Sequence, residues 1–235
     1  MSTESLGSKI NKELFAGRSL YDWLFLAIGI ALQVFTYIIT KDTVISFISG
    51  LSGVISVVYC SQRKVSFYFF GFVQLFTYVI LCIQQNLYGE IAENIFYFAT
   101  MVIGIFIWLK HYDRKENKVD VSPLTQKEWL WSVMICVFGS FVLGRILKLY
   151  TNDTQPYLDA FSTIPAFIAQ ILMIARKKEQ WIFWIIVDIT TGILWLKAGN
   201  YCMVAQYLFW IANCGYGYDK WNEHGNNNRR TEEKV

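Results

Sequence analysis

Apolar stretches divide the chain at about 22–39, 44–60, 66–85, 91–109, 129–149, 158–175, 180–197 and 201–219. Each is 17 to 21 residues long, the length a helix needs to cross the roughly 30 Å hydrocarbon core of a bilayer. A soluble helical protein would instead pair each apolar stripe with a polar face, and few of these stretches carry one. The pattern predicts an all-α membrane protein with eight transmembrane helices. The first stretch follows a charged arm of 21 residues and ends without a small-residue cleavage site, so it is expected to stay as a helix rather than leave as a signal.

Composition sharpens this reading. The chain of 235 residues is 54% hydrophobic and 17% charged, against about 25% charged in an ordinary soluble domain. A net charge of +3, dispersed along the chain, excludes a nucleic-acid surface. The basic residues segregate. With eight spans, 17 of the 21 Lys and Arg fall in segments 1–21, 61–65, 110–128, 176–179 and the tail after 219. Lys41, Arg145, Lys148 and Lys197 fall on the other side. By the positive-inside rule, both termini are expected in the cytoplasm.

The five cysteines (Cys60, Cys82, Cys136, Cys202, Cys214) lie within or at the ends of spans and form no C-x-x-C pair. They read as small buried residues rather than a disulfide framework or a redox site. His111 and His224 have no partners at ligand spacing, so neither a metal nor a cofactor is expected.

The chain also matches itself. At an offset of 113 residues, 14 of 60 positions are identical between 49–108 and 162–221. Biased membrane composition accounts for part of this. It does not account for the pairs Arg63/Arg176, Lys64/Lys177, Tyr88/Tyr201, Gly104/Gly217 and Trp108/Trp221. Each repeat would hold three spans. An odd number inserts the second copy inverted unless one more helix reverses it, and 129–149 is that helix. The expected architecture is therefore 1+3+1+3, with two parallel three-helix repeats. Its parts are a cytoplasmic arm (1–21), an extra helix (22–39), repeat one (44–109), a linker helix (129–149), repeat two (158–219) and a cytoplasmic tail (220–235).

In a carrier of this type the site lies near the midplane, so polar side chains inside the spans are its candidates. Gln206, Trp210, Asn213, Gly217 and Trp221 share one face of the last span, by helical spacing. Their repeat-one equivalents are Glu93, Tyr97, Thr100, Gly104 and Trp108, with Asn94 alongside. Such faces suit opposing walls of a cavity, or close helix packing through glycine and amide hydrogen bonds. Trp181, Trp184, Asp188, Thr191 and Trp195 share a face of span 180–197. Of the 18 acidic residues, Asp188 alone lies deep in a span, with no Lys or Arg at comparable depth. An intramembrane carboxylate is costly unless it is paired or faces water, and a cationic or hydroxyl-rich ligand would justify it. Gln74 and Gln170 are further intramembrane amides. Pro165, and Gly50-Leu51-Ser52-Gly53 at the corresponding place in repeat one, are either hinges or static kinks.

Several runs resemble the bacterial PnuC-type nicotinamide riboside transporters. They are W-I-F-W-I-I-V-D at 181–188, Leu87-Tyr88 with E-N-I-F-Y-F at 93–98, and Q-Y-L-F-W-I-A-N-C-G-Y-G-Y-D-K-W at 206–221. The resemblance spans roughly 20–221. It implies a SWEET-like fold, a trimer, and import of nicotinamide riboside across the inner membrane by facilitated diffusion, with cytosolic phosphorylation trapping it. It extends binding roles to Asn94, Tyr97, Gln170, Trp184, Asp188, Gln206, Trp210 and Asn213; Gln74 joins them as an intramembrane amide. The chemistry is compatible. Aromatic faces attract a desolvated cation such as a pyridinium by about 2 kcal/mol or more, amides suit the carboxamide and ribose hydroxyls, and Asp188 offsets the charge.

Other readings fit less well. A carrier for thiamine or another nucleoside would use the same groups, and a SWEET-like sugar facilitator the same fold. A retinal photoreceptor needs a Lys deep in the last span, and 201–219 has none. An intramembrane enzyme needs a Ser/His pair, a metal cluster or paired carboxylates at mid-depth, and the spans offer none of these.

Overall fold

Hydrocarbon offers a backbone amide no water to bond, so a spanning segment must satisfy its own hydrogen bonds, and a helix does so locally. The computed structural model describes residues 6–41, 43–84, 88–114, 116–151, 154–197, 199 and 201–232. Leu87 of the Leu87-Tyr88 motif, the outermost residues of arm and tail, and the side chains of Cys202 and His224 lie outside the described residues. Nine helices are described: α1 (Leu6–Phe15), α2 (Leu20–Thr40), α3 (Val44–Ser61), α4 (Phe67–Gln84), α5 (Tyr88–Lys110), α6 (Gln126–Tyr150), α7 (Pro156–Ile174), α8 (Gln180–Lys197) and α9 (Tyr201–Glu232). Between α5 and α6, within the basic segment 110–128, β1 (Tyr112–Asp113) and β2 (Lys118–Val119) form a small antiparallel hairpin.

Seven of these helices, α2 to α8, are long and apolar enough to cross a membrane. The chain is a multi-pass helical membrane protein. The eighth expected span, 201–219, is the first part of α9, and it is the least apolar. Gln206, Asn213, four tyrosines, two glycines and Asp219 dilute its hydrophobicity, though it stays helical.

Helix starts follow local chemistry. Ser19 and Asp22 form a reciprocal capping box before α2, with bonds of 3.2 and 2.8 Å. Thr125 and Glu128 do the same before α6, in each case satisfying amides that the first turn leaves open. Thr43 caps α3, and Pro156 opens α7 where its missing N–H costs nothing.

The chain forms two compact units, residues 1–120 and 121–235. In the first, α2 packs on α3, α3 on α4 and α4 on α5; in the second, α6 packs on α7, α7 on α8 and α8 on α9. The 113-residue offset relates the helices themselves: α4 and α8 begin and end 113 residues apart, and so do the starts of α5 and α9. The turns match bond for bond. Arg63 and Arg176 both take a left-handed backbone, at φ 61° and 60°. Their amides donate to Cys60 and Met173, and the next amides, of Lys64 and Lys177, donate to Tyr59 and Leu172. These bonds satisfy carbonyls left open at the ends of α3 and α7.

The lysines then anchor what lies alongside. Lys64 is fully buried, and its Nζ donates to Ala16 O and Asn117 O at 3.2 and 3.0 Å. That burial lowers its pKa to about 8. Lys177 Nζ reaches Pro123 O and Glu128 Oε2, both at 3.2 Å. Glu13 adds a second tie for α1, accepting from the Ser66 amide and the Tyr112 hydroxyl.

Small residues set the helix spacing. Glycine has no Cβ, so a neighbour can lie on its backbone. The Gln33 amide of α2 lies against Gly50, and the Gln74 amide of α4 lies against Gly53, where an added Cβ would be 3.0 Å away. α7 runs unbroken through Pro165. The Phe161 carbonyl, which Pro165 leaves without its helical donor, lies 3.5 Å from Thr190 Oγ1 on α8.

Gly217 of α9 faces the buried Trp181 of α8, and an added Cβ would be 2.5–2.9 Å from the indole. Trp181 is held edge-on to Trp221, with centroids 5.7 Å apart at 86°, so it has little room to yield. Gly217→Ala should therefore lower the unfolding midpoint in detergent by several degrees, from an overpacking cost of about 1–3 kcal/mol. Gly215, two residues away, has nothing within 4 Å of an added Cβ. Gly215→Ala should leave the midpoint unchanged or raise it slightly, since alanine favours the helix by about 0.5–1 kcal/mol. Equal losses for both variants would contradict this packing.

Candidate functional site

The polar residues of the second unit gather on α8 and α9. Their spacing puts Trp181, Trp184 and Asp188 along one side of α8, while α9 carries Gln206, Trp210, Asn213 and Cys214. Asp188 is 3% exposed. Its Oδ2 accepts a hydrogen bond from Cys214 Sγ at 3.4 Å, across the α8–α9 contact. Among the described residues no Lys or Arg pairs with it. A thiol is a weak donor, so the charge of this carboxylate is poorly offset by the protein alone.

Around it, Asn213 is buried beside Cys214. Trp210 is half-buried and stacks on Tyr207, with centroids 6.3 Å apart at 29°. Its indole Nε1 is buried without a hydrogen-bond partner among the described residues. Gln206 is half-buried one turn into α9. Trp184 packs against an apolar cluster of Cys136, Ile168, Ala169, Leu172 and Phe183, so part of its ring serves the core of the unit. Gln170, on α7, is buried.

The first unit has a different character at the equivalent places. Where the second has Trp184, Asp188 and Cys214, the first has Gly71, Leu75 and Met101. The Met101 methyl lies over Gly71, 2.6 Å from where a Cβ would sit, and fills the volume an indole would need. This position is closed, with the Ser56 hydroxyl also 3.1 Å from where that Cβ would sit. Polar candidates of the first unit stand elsewhere: Asn94 is buried on α5, and the Tyr97 hydroxyl donates to Glu93 Oε1 at 2.7 Å. Gln74 lies in the Gly53 notch between α3 and α4, which makes it part of helix packing there.

Among the described residues, contacts of the predicted residues include Asp188 with Cys214, Trp210 with Tyr207, Tyr97 with Glu93, and Gln74 with Gly53. From sequence, Cys214 reads as a small buried residue, and Glu93 as a residue of the repeat-one face beside the ligand candidates rather than one of them. The signal for Cys214 was available, because it adjoins Asn213 and lies one turn beyond Trp210. What was missing was the α8–α9 register. Among the described residues there is no group of three or more His, Cys, Asp or Glu side chains that could hold a metal ion. This arrangement offers a single negative charge, an indole and an amide, a set suited to binding and releasing a cationic small molecule.

Comparison with known proteins gives the family. The family described as the nicotinamide mononucleotide transporter matches residues 43–223. The nicotinamide riboside transporter PnuC of Haemophilus influenzae is 31% identical over 223 residues, covering 93% of this chain and 97% of that protein. The protein of the same name from Neisseria mucosa is 28% identical, covering 90% and 84%. A crystal structure of the vitamin B3 transporter PnuC superposes with a TM-score of 0.80 at 27% identity, covering 95% of this chain and 99% of that one. The chain therefore belongs to the nicotinamide mononucleotide transporter family and is a PnuC-type membrane transporter, not an enzyme.

Proposed function

We propose that this protein imports nicotinamide riboside across the bacterial inner membrane by facilitated diffusion, with cytosolic phosphorylation trapping the substrate. Its relatives carry the name of that substrate. The observation that carries the reading within this chain is Asp188, a buried intramembrane carboxylate whose described partner is one thiol. Nicotinamide riboside bears a permanent pyridinium charge, and such a ligand offsets the carboxylate where the protein does not. Trp184 and Trp210 supply aromatic faces, and Gln170, Gln206 and Asn213 supply amides for the carboxamide and ribose. Asn94, Tyr97 and Gln74 are the proposed ligand contacts of the first unit.

The proposal includes the 1+3+1+3 arrangement with both termini in the cytoplasm, supported by the segregation of basic residues. Reporter fusions at Lys118 and Val235 should both read cytoplasmic. A periplasmic signal at either would break that topology.

Transport is proposed to be uncoupled, because ion-driven carriers use interacting intramembrane acids or proton relays and this chain has one deep acid. Uptake into proteoliposomes should equilibrate without a proton or sodium gradient. Accumulation above the outside concentration that an ionophore abolishes would refute it.

The charge role of Asp188 is open to direct test. Asp188→Asn keeps the shape and removes the charge. Charge-assisted contacts are worth about 1.5–3 kcal/mol, so affinity for nicotinamide riboside should fall roughly 10- to 100-fold. Binding of the uncharged dihydronicotinamide riboside should change far less. Trp184→Leu should show the same bias, since it removes the π face and keeps apolar bulk. Equal losses for the two ligands would mean these residues shape the pocket rather than sense charge.

A further inference from the structure

Cys214 joins the candidate site through tertiary structure alone. It is 4% exposed, and its Sγ lies 3.4 Å from Asp188 Oδ2. α8 packs against both α7 and α9. Of the titratable side chains on these two helices, α7 carries Tyr157, which lies on Gly144 of α6, and Asp159, both in its first turn; α9 carries Tyr201, Tyr207, Cys214, Tyr216, Tyr218, Asp219, Lys220 and Glu223. Among the described residues, Cys214 is the one of these joined to Asp188. The other oxygen, Oδ1, carries no described hydrogen bond.

The equivalent residue of the first unit is Met101, also a sulfur side chain. There the sulfur is a thioether with no proton to donate, the partner position is Leu75, and the side chain only fills the space over Gly71. Sulfur thus packs in one unit and makes a hydrogen bond in the other, where the neighbour is an acid.

We propose that Cys214 is a positioning residue for charge recognition: its thiol orients the Asp188 carboxylate through Oδ2 and leaves Oδ1 to the cationic ring of the substrate. This rests on the reading of Asp188 given above. The choice of a thiol has a physical consequence. A hydrogen bond to a carboxylate favours its charged form, and a strong donor would itself do much of what the ligand does. A hydroxyl at this place would hold the empty site in a stabilised state and leave less for the cation to gain. With no donor, the carboxylate would lose its orientation and take up a proton more readily. The thiol lies between, holding geometry while leaving the charge largely for the ligand.

The test uses the full-length purified protein, with nicotinamide riboside and its uncharged dihydro form titrated over an acid-to-neutral pH series. Cys214→Ser should weaken nicotinamide riboside about 3- to 10-fold near neutral pH, the size of one improved charge-assisted hydrogen bond. It should also shift the acid-side loss of binding to lower pH. Cys214→Ala should shift that loss to higher pH and also weaken nicotinamide riboside about 3- to 10-fold near neutral pH, because the carboxylate loses its orienting donor. The dihydro form should stay within about twofold of wild type for both variants. Profiles that superimpose on wild type, or equal changes for charged and uncharged ligands, would overturn the role of Cys214. If Asp188→Asn abolishes the preference for the charged ligand while both Cys214 variants leave it in place, only the Cys214 inference fails. A wild-type protein that does not prefer the charged ligand would overturn the reading of Asp188, and this inference with it.

Discussion

A charge buried in hydrocarbon has to be matched, and that constraint organises the second unit of this protein. Asp188 sits in the middle of α8, 3% exposed, with a thiol as its described partner. Removing a carboxylate from water costs several kcal/mol even after the surroundings relax. A purely structural protein would gain from an apolar residue there, as the first unit demonstrates with Leu75 at the equivalent position. An acid at that depth makes its surroundings the candidate site. The surroundings follow from it: amides and indoles on α9 provide polar contacts without adding a competing charge.

The two units show how one helical plan is specialised. Their turns are built alike, down to the left-handed arginine and the buried or half-buried lysine that ties down the neighbouring segment. Their aromatic ends are alike too, with Tyr68 edge-on to Trp108 in one and Trp181 edge-on to Trp221 in the other. These are the parts that hold helices together, and they change little between the repeats. The Gly71/Leu75/Met101 set and the Trp184/Asp188/Cys214 set occupy matching places and differ completely. Met101 covers Gly71, so the first unit fills by packing the place where the second has an indole.

The small residues show a second economy. Gln33, buried over Gly50, and Gln74, half-buried over Gly53, set two amides against one helix. In a membrane, where lipid is as apolar as leucine, close approach and interhelical polar contacts replace the hydrophobic effect as the source of cohesion. An intramembrane glutamine can thus serve packing alone, and Gln74 is at least partly of this kind. Asp188 differs because a carboxylate carries a net charge, which a glycine notch does nothing to offset.

Much of the protein was legible without its structure. Span length and apolarity are properties of consecutive residues, so the helices followed from the order of the chain, and the bilayer removed the alternatives to a helix. The 113-residue repeat is also a matter of order, and the helix limits obey it. The lone deep acid could be counted directly. What the sequence could not supply was register between helices. Cys214 and Asp188 are 26 residues apart on different helices, and only the α8–α9 packing brings sulfur to oxygen. The same holds for Gln74, which reads as a free intramembrane amide until α3 presents Gly53 to it, and for Trp184, which packs against a cluster that α7 supplies with Ile168, Ala169 and Leu172. Local pattern determines which face of a helix is polar. Which neighbour meets that face is decided by side-chain volumes across the interface, and those are matched only in the folded chain.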